Sequence, residues 1–125
     1  MDLTNPAYFH LNPDLGWLAA RGGADALEIC RAYLSRIMAI HFKDFDPTLE
    51  SEWQGRRWKG STVLWGKGII NFPALVDFLR EAEFDGCVMG EHIGLGTFDL
   101  ARSSEAPAAF PLFKEYATQK LGLRL

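Results

Sequence analysis

Short apolar runs alternate along the chain with segments whose apolar residues recur at helical spacing. Three apolar runs that end at polar turns predict strands, at residues 8–12, 38–42 and 87–90. Helical spacing predicts helices over residues 25–37, from 71 to about 83, and from 111 to 121. Asp25 and Asn71 are suited to cap the first two helices, and Pro111 suits the first turn of the last one.

Residues 48–70 show no clear periodicity and predict a long loop, with residues 63–65 as its extended part. Basic residues alternate there with tryptophans, since Arg56, Arg57 and Lys59 surround Trp58. Such a mixture can bind single-stranded nucleic acid by charge and stacking. A lid is the favoured interpretation, because the loop follows the second strand. Its arginines, Arg56 among them, would then contact a sugar hydroxyl, carboxylate or phosphate of the substrate.

The order of strands and helices predicts an α/β fold with a parallel sheet. Both a doubly wound sheet and a (β/α)8 barrel fit this order. A complete barrel needs roughly 250 residues, and this chain has 125. We therefore expect one domain or part of one, spanning residues 1–125.

Composition and charge narrow the class of protein. The net charge of −3 favours neither nucleic acid nor an anionic membrane as a partner. The first residues lack the basic start and apolar core of a leader, and no apolar stretch is long enough to cross a bilayer, so a cytoplasmic location is expected. Cys30 and Cys87 lie in apolar patterns and are interpreted as reduced core thiols.

Three side chains with ligand chemistry lie at or just after the ends of predicted strands: Asp14, His41 and Glu91. The carboxyl ends of parallel strands share one rim, where ligands and catalytic groups gather. One imidazole with carboxylates suits Mn²⁺, Co²⁺, Fe²⁺, Mg²⁺ or Zn²⁺ in a catalytic site. Each residue also has a simpler interpretation: Asp14 as a turn former, His41 as a hydrogen-bonded core or rim histidine, and Glu91 as a cap or lysine partner.

Four motifs in order resemble those of the xylose isomerase-like sugar isomerases and epimerases, whose nearer members include inosose dehydratase and keto-sugar 3-epimerases. Asp14-Leu15-Gly16-Trp17 is similar to the segment after strand six of that barrel, and Ile40-His41-Phe42-Lys43-Asp44 to the segment of strand seven. The stretch over residues 66–72 resembles the Gly-x-Gly approach to helix seven, and Gly90-Glu91 falls where strand eight supplies the last metal ligand.

The resemblance implies a partial TIM barrel, about strands six to eight with their helices. It implies that Asp14, His41 and Glu91 bind a divalent metal, and that Glu91 is also catalytic. Lys43 and Asp44 would orient His41 or face the substrate, a small-molecule sugar or cyclitol. Trp17 stands where many members have a substrate-contacting histidine.

The family's first metal-binding glutamate would lie upstream of Met1, which makes the predicted enzyme incomplete. We therefore expect self-association or pairing with a complementary N-terminal half-barrel, because an open sheet exposes unpaired edges. The function predicted is a metal-dependent sugar isomerase, epimerase or inosose dehydratase-like lyase. The alternative is a non-catalytic scaffold or interaction domain derived from such a barrel.

Overall fold

Three parallel backbone segments lie side by side in the sheet. The computed structural model describes residues 4–5, 7–21, 25–53, 55–92 and 106–124. Strand β1 (Ala39–Phe42) pairs in parallel with β4 (Cys87–Gly90), so that His41 lies opposite Met89. On the other side, residues 11–14 form two parallel bridges, Leu11 with Ile37 and Asp14 with His41. The predicted parallel sheet and its last two strands are confirmed.

The first predicted strand, at residues 8–12, is wrong in its bounds. Pairing starts at Leu11, whose N–H donates to the Arg36 carbonyl at 2.6 Å, and continues to Asp14. Pro13 interrupts the ladder, because it has no N–H to donate, although its carbonyl accepts from His41 N at 2.9 Å. The strand is thereby reduced to two isolated bridges.

The helices match the predictions except at two places. The helical elements are α1 (Leu15–Ala20), α2 (Ala26–Tyr33), α3 (Phe72–Glu81), α4 (Ala106–Glu115) and a π-helical turn (Tyr116–Lys120). The helix predicted over residues 25–37 is α2 followed by a 3-10 turn, and Asp25 and Asn71 cap their helices as expected. Helix α1 was not predicted, and Pro111 lies inside α4 instead of in its first turn. Among the described residues, no helix has the length and apolar character needed to cross a membrane.

The loop predicted over residues 48–70 is wrong, because most of it belongs to an antiparallel hairpin of β2 (Asp44–Trp53) and β3 (Arg56–Val63). Acidic residues of β2 lie opposite basic residues of β3: Glu50 faces Lys59 and Glu52 faces Arg57. These pairs weaken the positive potential on which nucleic-acid binding would depend. The hairpin begins one residue after Lys43, directly beside the sheet.

The core lies between one face of the sheet and the helices. Ile40 and Phe42 of β1 are fully buried, and the ring of Phe42 packs on Phe72 of α3 with centroids 4.9 Å apart. His41 lies between them in sequence and therefore faces the opposite side of the sheet. Both cysteines are free; Cys30 is buried as predicted, but Cys87 is exposed, so its interpretation as a core thiol is wrong.

A buried carboxylate joins the start of the hairpin to the loop before α3. Asp44 is fully buried, and its two oxygens accept from four backbone N–H groups, at Phe45, Gly66, Gly68 and Ile70, over 2.8–3.2 Å. A Cβ on Gly68 would overlap Asp44 Oδ1 and the carbonyl oxygen of Phe45. The Gly-x-Gly motif therefore lets the backbone approach the carboxylate closely.

We expect Asp44→Asn to lower the free energy of unfolding by about 2–4 kcal/mol, because the amide replaces an acceptor with a donor among buried N–H groups. Urea denaturation followed by circular dichroism measures the change. Asp77→Asn is the control, since the Asp77 side chain is 71% exposed, and it should change stability by less than about 0.5 kcal/mol. An Asp44→Asn protein as stable as the control would contradict this role.

Candidate metal centre

Asp14 lies at the end of the segment of residues 11–14 that pairs with the sheet, directly before α1. Its Oδ1 accepts from Trp17 N at 3.0 Å and caps the helix, which confirms the turn-forming interpretation. Its Oδ2 points elsewhere and accepts from Lys43 Nζ at 2.8 Å. The same carboxylate therefore shapes the turn with one oxygen and presents the other to the end of the sheet.

His41 lies on β1, directly beside Asp14 in the sheet. Its Nδ1 hydrogen-bonds Glu91 Oε2, and its Nε2 lies 3.0 Å from Asn12 Nδ2. The side-chain amide of Asn12 and the carboxylate of Glu91 thus each contact one ring nitrogen of His41. The two contacts fix the orientation of the imidazole from both sides.

Glu91 directly follows β4, and its N–H donates to the carbonyl of Phe42 at 3.0 Å. This bond extends the parallel pairing by one step and places the Glu91 side chain beside His41. Ligand atoms of Asp14, His41 and Glu91 all lie within 4.8 Å of one another. The structure thus brings together the three side chains that the strand ends predicted, and this set of two carboxylates and one imidazole fits a divalent cation.

Lys43 lies between the two carboxylates. Its Nζ is 2.8 Å from Asp14 Oδ2 and 2.6 Å from Glu91 Oε1, while its side chain is only 3% exposed. The same nitrogen lies 5.6 Å from the centroid of the Trp17 ring, which is partly exposed beside it. Lys43 and Trp17 therefore adjoin the cluster.

The neighbours of Glu91 lower the pKa of its carboxyl group. Burial raises the pKa of its carboxyl group, but hydrogen bonds from Lys43 and His41, together with the positive charge of Lys43, outweigh burial and hold the pKa below its usual range. Glu91 is therefore ionised at neutral pH, which is the form that binds cations and accepts protons.

Two residues predicted to bind substrate lie apart from the cluster. Asp44 directs both oxygens to backbone N–H groups and is fully buried, so its carboxylate belongs to the network before α3 and not to the cluster. Arg56 is exposed at the turn end of the hairpin, opposite Trp53. At ~3.3 Å per residue, this turn is roughly 30 Å along β2 from its start.

Asn12 and His92 lie at this end of the sheet, but neither was predicted as a site residue. Asn12 could have been found, because residues two apart in an extended segment share a face and Asn12 precedes Asp14 by two. His92 packs on Trp65 with ring centroids 5.5 Å apart, and burial lowers its pKa despite a hydrogen bond with the backbone of Val63. Within the described part of the chain, its Nδ1 is a buried ring nitrogen without a hydrogen-bond partner.

Comparison with known proteins agrees with this fold. The model of the xylose isomerase-like TIM barrel family matches residues 1–113. Inosose dehydratase of Clostridium perfringens is 31% identical over 99 residues, which are 73% of this chain and 33% of that protein. Inosose dehydratase 1 of Bacillus cereus is 32% identical over 93 residues, which are 69% of this chain and 31% of that protein.

A solved structure shows the same fold. The xylose isomerase domain protein from Planctomyces limnophilus superposes with a TM-score of 0.62 at 20% identity, over 94% of this chain and 40% of that one. The chain belongs to the xylose isomerase-like TIM barrel family. It spans about a third of the length of the curated relatives it matches and is therefore part of such a barrel.

The depressed pKa of Glu91 predicts how stability depends on pH. Contacts that favour the ionised carboxylate contribute fully above its ordinary pKa, and this contribution is lost as pH falls through the lower folded value. Glu91→Gln should therefore be less stable than the parent chain at pH 7, and this difference should shrink toward pH 3. Urea unfolding at both pH values, with a chelator present, tests this. A difference that stays constant or grows on acidification would contradict it.

Proposed function

We propose that this chain forms part of a metal-dependent enzyme that isomerises, epimerises or dehydrates a small sugar or cyclitol. The observation that carries the proposal is the convergence of Asp14, His41 and Glu91 within 4.8 Å. Membership of the xylose isomerase-like family and similarity to two proteins named inosose dehydratase support the substrate class.

These three residues would hold the metal, with Mn²⁺, Co²⁺, Mg²⁺ and Zn²⁺ as the candidate ions. When bound, the cation would polarise an oxygen of the substrate. The ionised carboxylate of Glu91 would accept a proton from the carbon next to a carbonyl and return it. Asn12 would hold the His41 ring in place, since its amide offers both a donor and an acceptor.

Substrate contacts would come from the residues around the cluster. Trp17 is 39% exposed and offers an aromatic face beside Lys43. The C–H face of a sugar or cyclitol ring suits such a surface. Arg56 receives no role in this proposal, because the structure places it at the far end of the hairpin.

A complete barrel would need strands beyond the three parallel segments described. The proposed partner is a complementary half-barrel or a second copy of the chain, pairing along the edge of β4 that no described strand occupies, where Cys87 is exposed. Edge pairing would satisfy the N–H and C=O groups on that side of the strand, which have no partner strand in the described part of the chain. A complementary half-barrel would also supply a second carboxylate, which would exchange protons with the substrate together with Glu91.

Calorimetric titration with Mn²⁺ tests the metal site. One ion should bind per chain, and Asp14→Asn, His41→Gln and Glu91→Gln should each weaken binding at least about ten-fold, since each removes a ligand. Asp77→Asn, which changes an exposed carboxylate on α3, should bind like the parent chain.

Titration of the Mn²⁺-loaded chain with an inosose as probe tests the substrate class, and binding should require the metal. Failure of the chain to bind Mn²⁺, or undiminished binding by all three variants, would contradict the proposal. The scaffold interpretation would then take its place.

A further inference from the structure

We infer that Lys43 is a built-in counter-cation for Asp14 and Glu91, and that a divalent metal must compete with its ammonium group for their oxygens. Lys43 would thereby weaken metal binding while keeping the two carboxylates close together. This inference rests on the proposed function, because it takes Asp14, His41 and Glu91 as the metal ligands.

The competition follows from which oxygens are engaged. Asp14 Oδ1 accepts from Trp17 N, and Glu91 Oε2 is hydrogen-bonded to His41 Nδ1. The second oxygen of each carboxylate is the one that Lys43 Nζ contacts, at 2.8 Å and 2.6 Å. A metal that uses these two oxygens takes the partners of the ammonium group.

The lysine is held in this position by its surroundings. Lys43 as a whole is 2% exposed. Its aliphatic stem runs across Gly16, where a Cβ would overlap Lys43 Cγ and Cδ. The absence of a side chain at Gly16 thus provides the space that the stem occupies. A mobile surface lysine would lack such a fitted path, so the ion pairs are part of the fold.

The positive charge of Lys43 has two opposing effects on metal binding. Two ionised carboxylates close together repel each other, and an ammonium group between them removes that cost. The same positive charge repels an incoming divalent cation within a few ångströms, at low local dielectric. Metal binding should therefore be weaker than the carboxylate and imidazole ligands alone would give, and it should release Lys43 from its buried position.

Calorimetry with Mn²⁺ on Lys43→Met tests whether Lys43 weakens metal binding, because methionine keeps the apolar stem and removes the charge. Lys43→Met should bind Mn²⁺ at least about ten-fold more tightly than the parent chain. Its thermal stability should be lower in chelator and should rise more when Mn²⁺ is added. Lys114→Met, at an exposed position of α4, is the matched control and should bind Mn²⁺ like the parent.

Acetylation of the parent chain with an amine-reactive ester, followed by mass spectrometry, tests whether metal binding releases Lys43 from its buried position. This experiment does not depend on the folding of a variant. Lys43 should react slowly, and saturation with Mn²⁺ should speed its reaction several-fold while Lys114 reacts at an unchanged rate. A Lys43 rate that Mn²⁺ leaves unchanged or lowers would overturn the inference.

The outcomes distinguish this inference from the proposed function. If the parent chain binds Mn²⁺ and Lys43→Met binds it equally or more weakly, Lys43 is no competitor and the inference fails, while the metal site stands. If neither protein binds Mn²⁺, the proposed function fails and the inference falls with it.

Discussion

Backbone pairing on both sides of β1 is the constraint on which the candidate site depends. His41 sits at the centre of that pairing, with Asp14 bridged to it on one side and β4 on the other. Because all three segments run in the same direction, their carboxyl ends meet at one edge, and residues distant in sequence become neighbours. A shift of one residue in either register would turn a ligand to the opposite face of the sheet.

Charge organises the side chains that this pairing brings together. Asp14 and Glu91 share one buried ammonium group, and His41 is held between Glu91 and Asn12. Asp44, adjacent in sequence to Lys43, belongs to a separate network that binds backbone N–H groups and shapes the loop before α3. Neighbouring residues of one motif thus serve different purposes: Lys43 faces the cluster, and Asp44 holds the scaffold around it.

Much of this arrangement could be predicted from sequence, because apolar runs ending in Asp14, His41 and Glu91 indicate strand ends. The hairpin could not be found from hydrophobic alternation, since most residues over 48–59 are partly or fully exposed and neither face is marked as apolar. Its signal lies instead in the opposed charges of Glu50 and Lys59 and of Glu52 and Arg57. The buried role of Asp44 was hidden for a related reason: a carboxylate that binds backbone groups of a distant loop leaves no local pattern.

Diffraction from crystals of the chain soaked in Mn²⁺, with anomalous differences measured near the manganese edge, tests the central claim most directly. We predict one strong anomalous peak within coordination distance of Asp14, His41 and Glu91, with Lys43 Nζ moved away from at least one carboxylate. A peak bound elsewhere, or no peak while both Lys43 ion pairs persist, would contradict the assignment of these three strand ends as a metal centre.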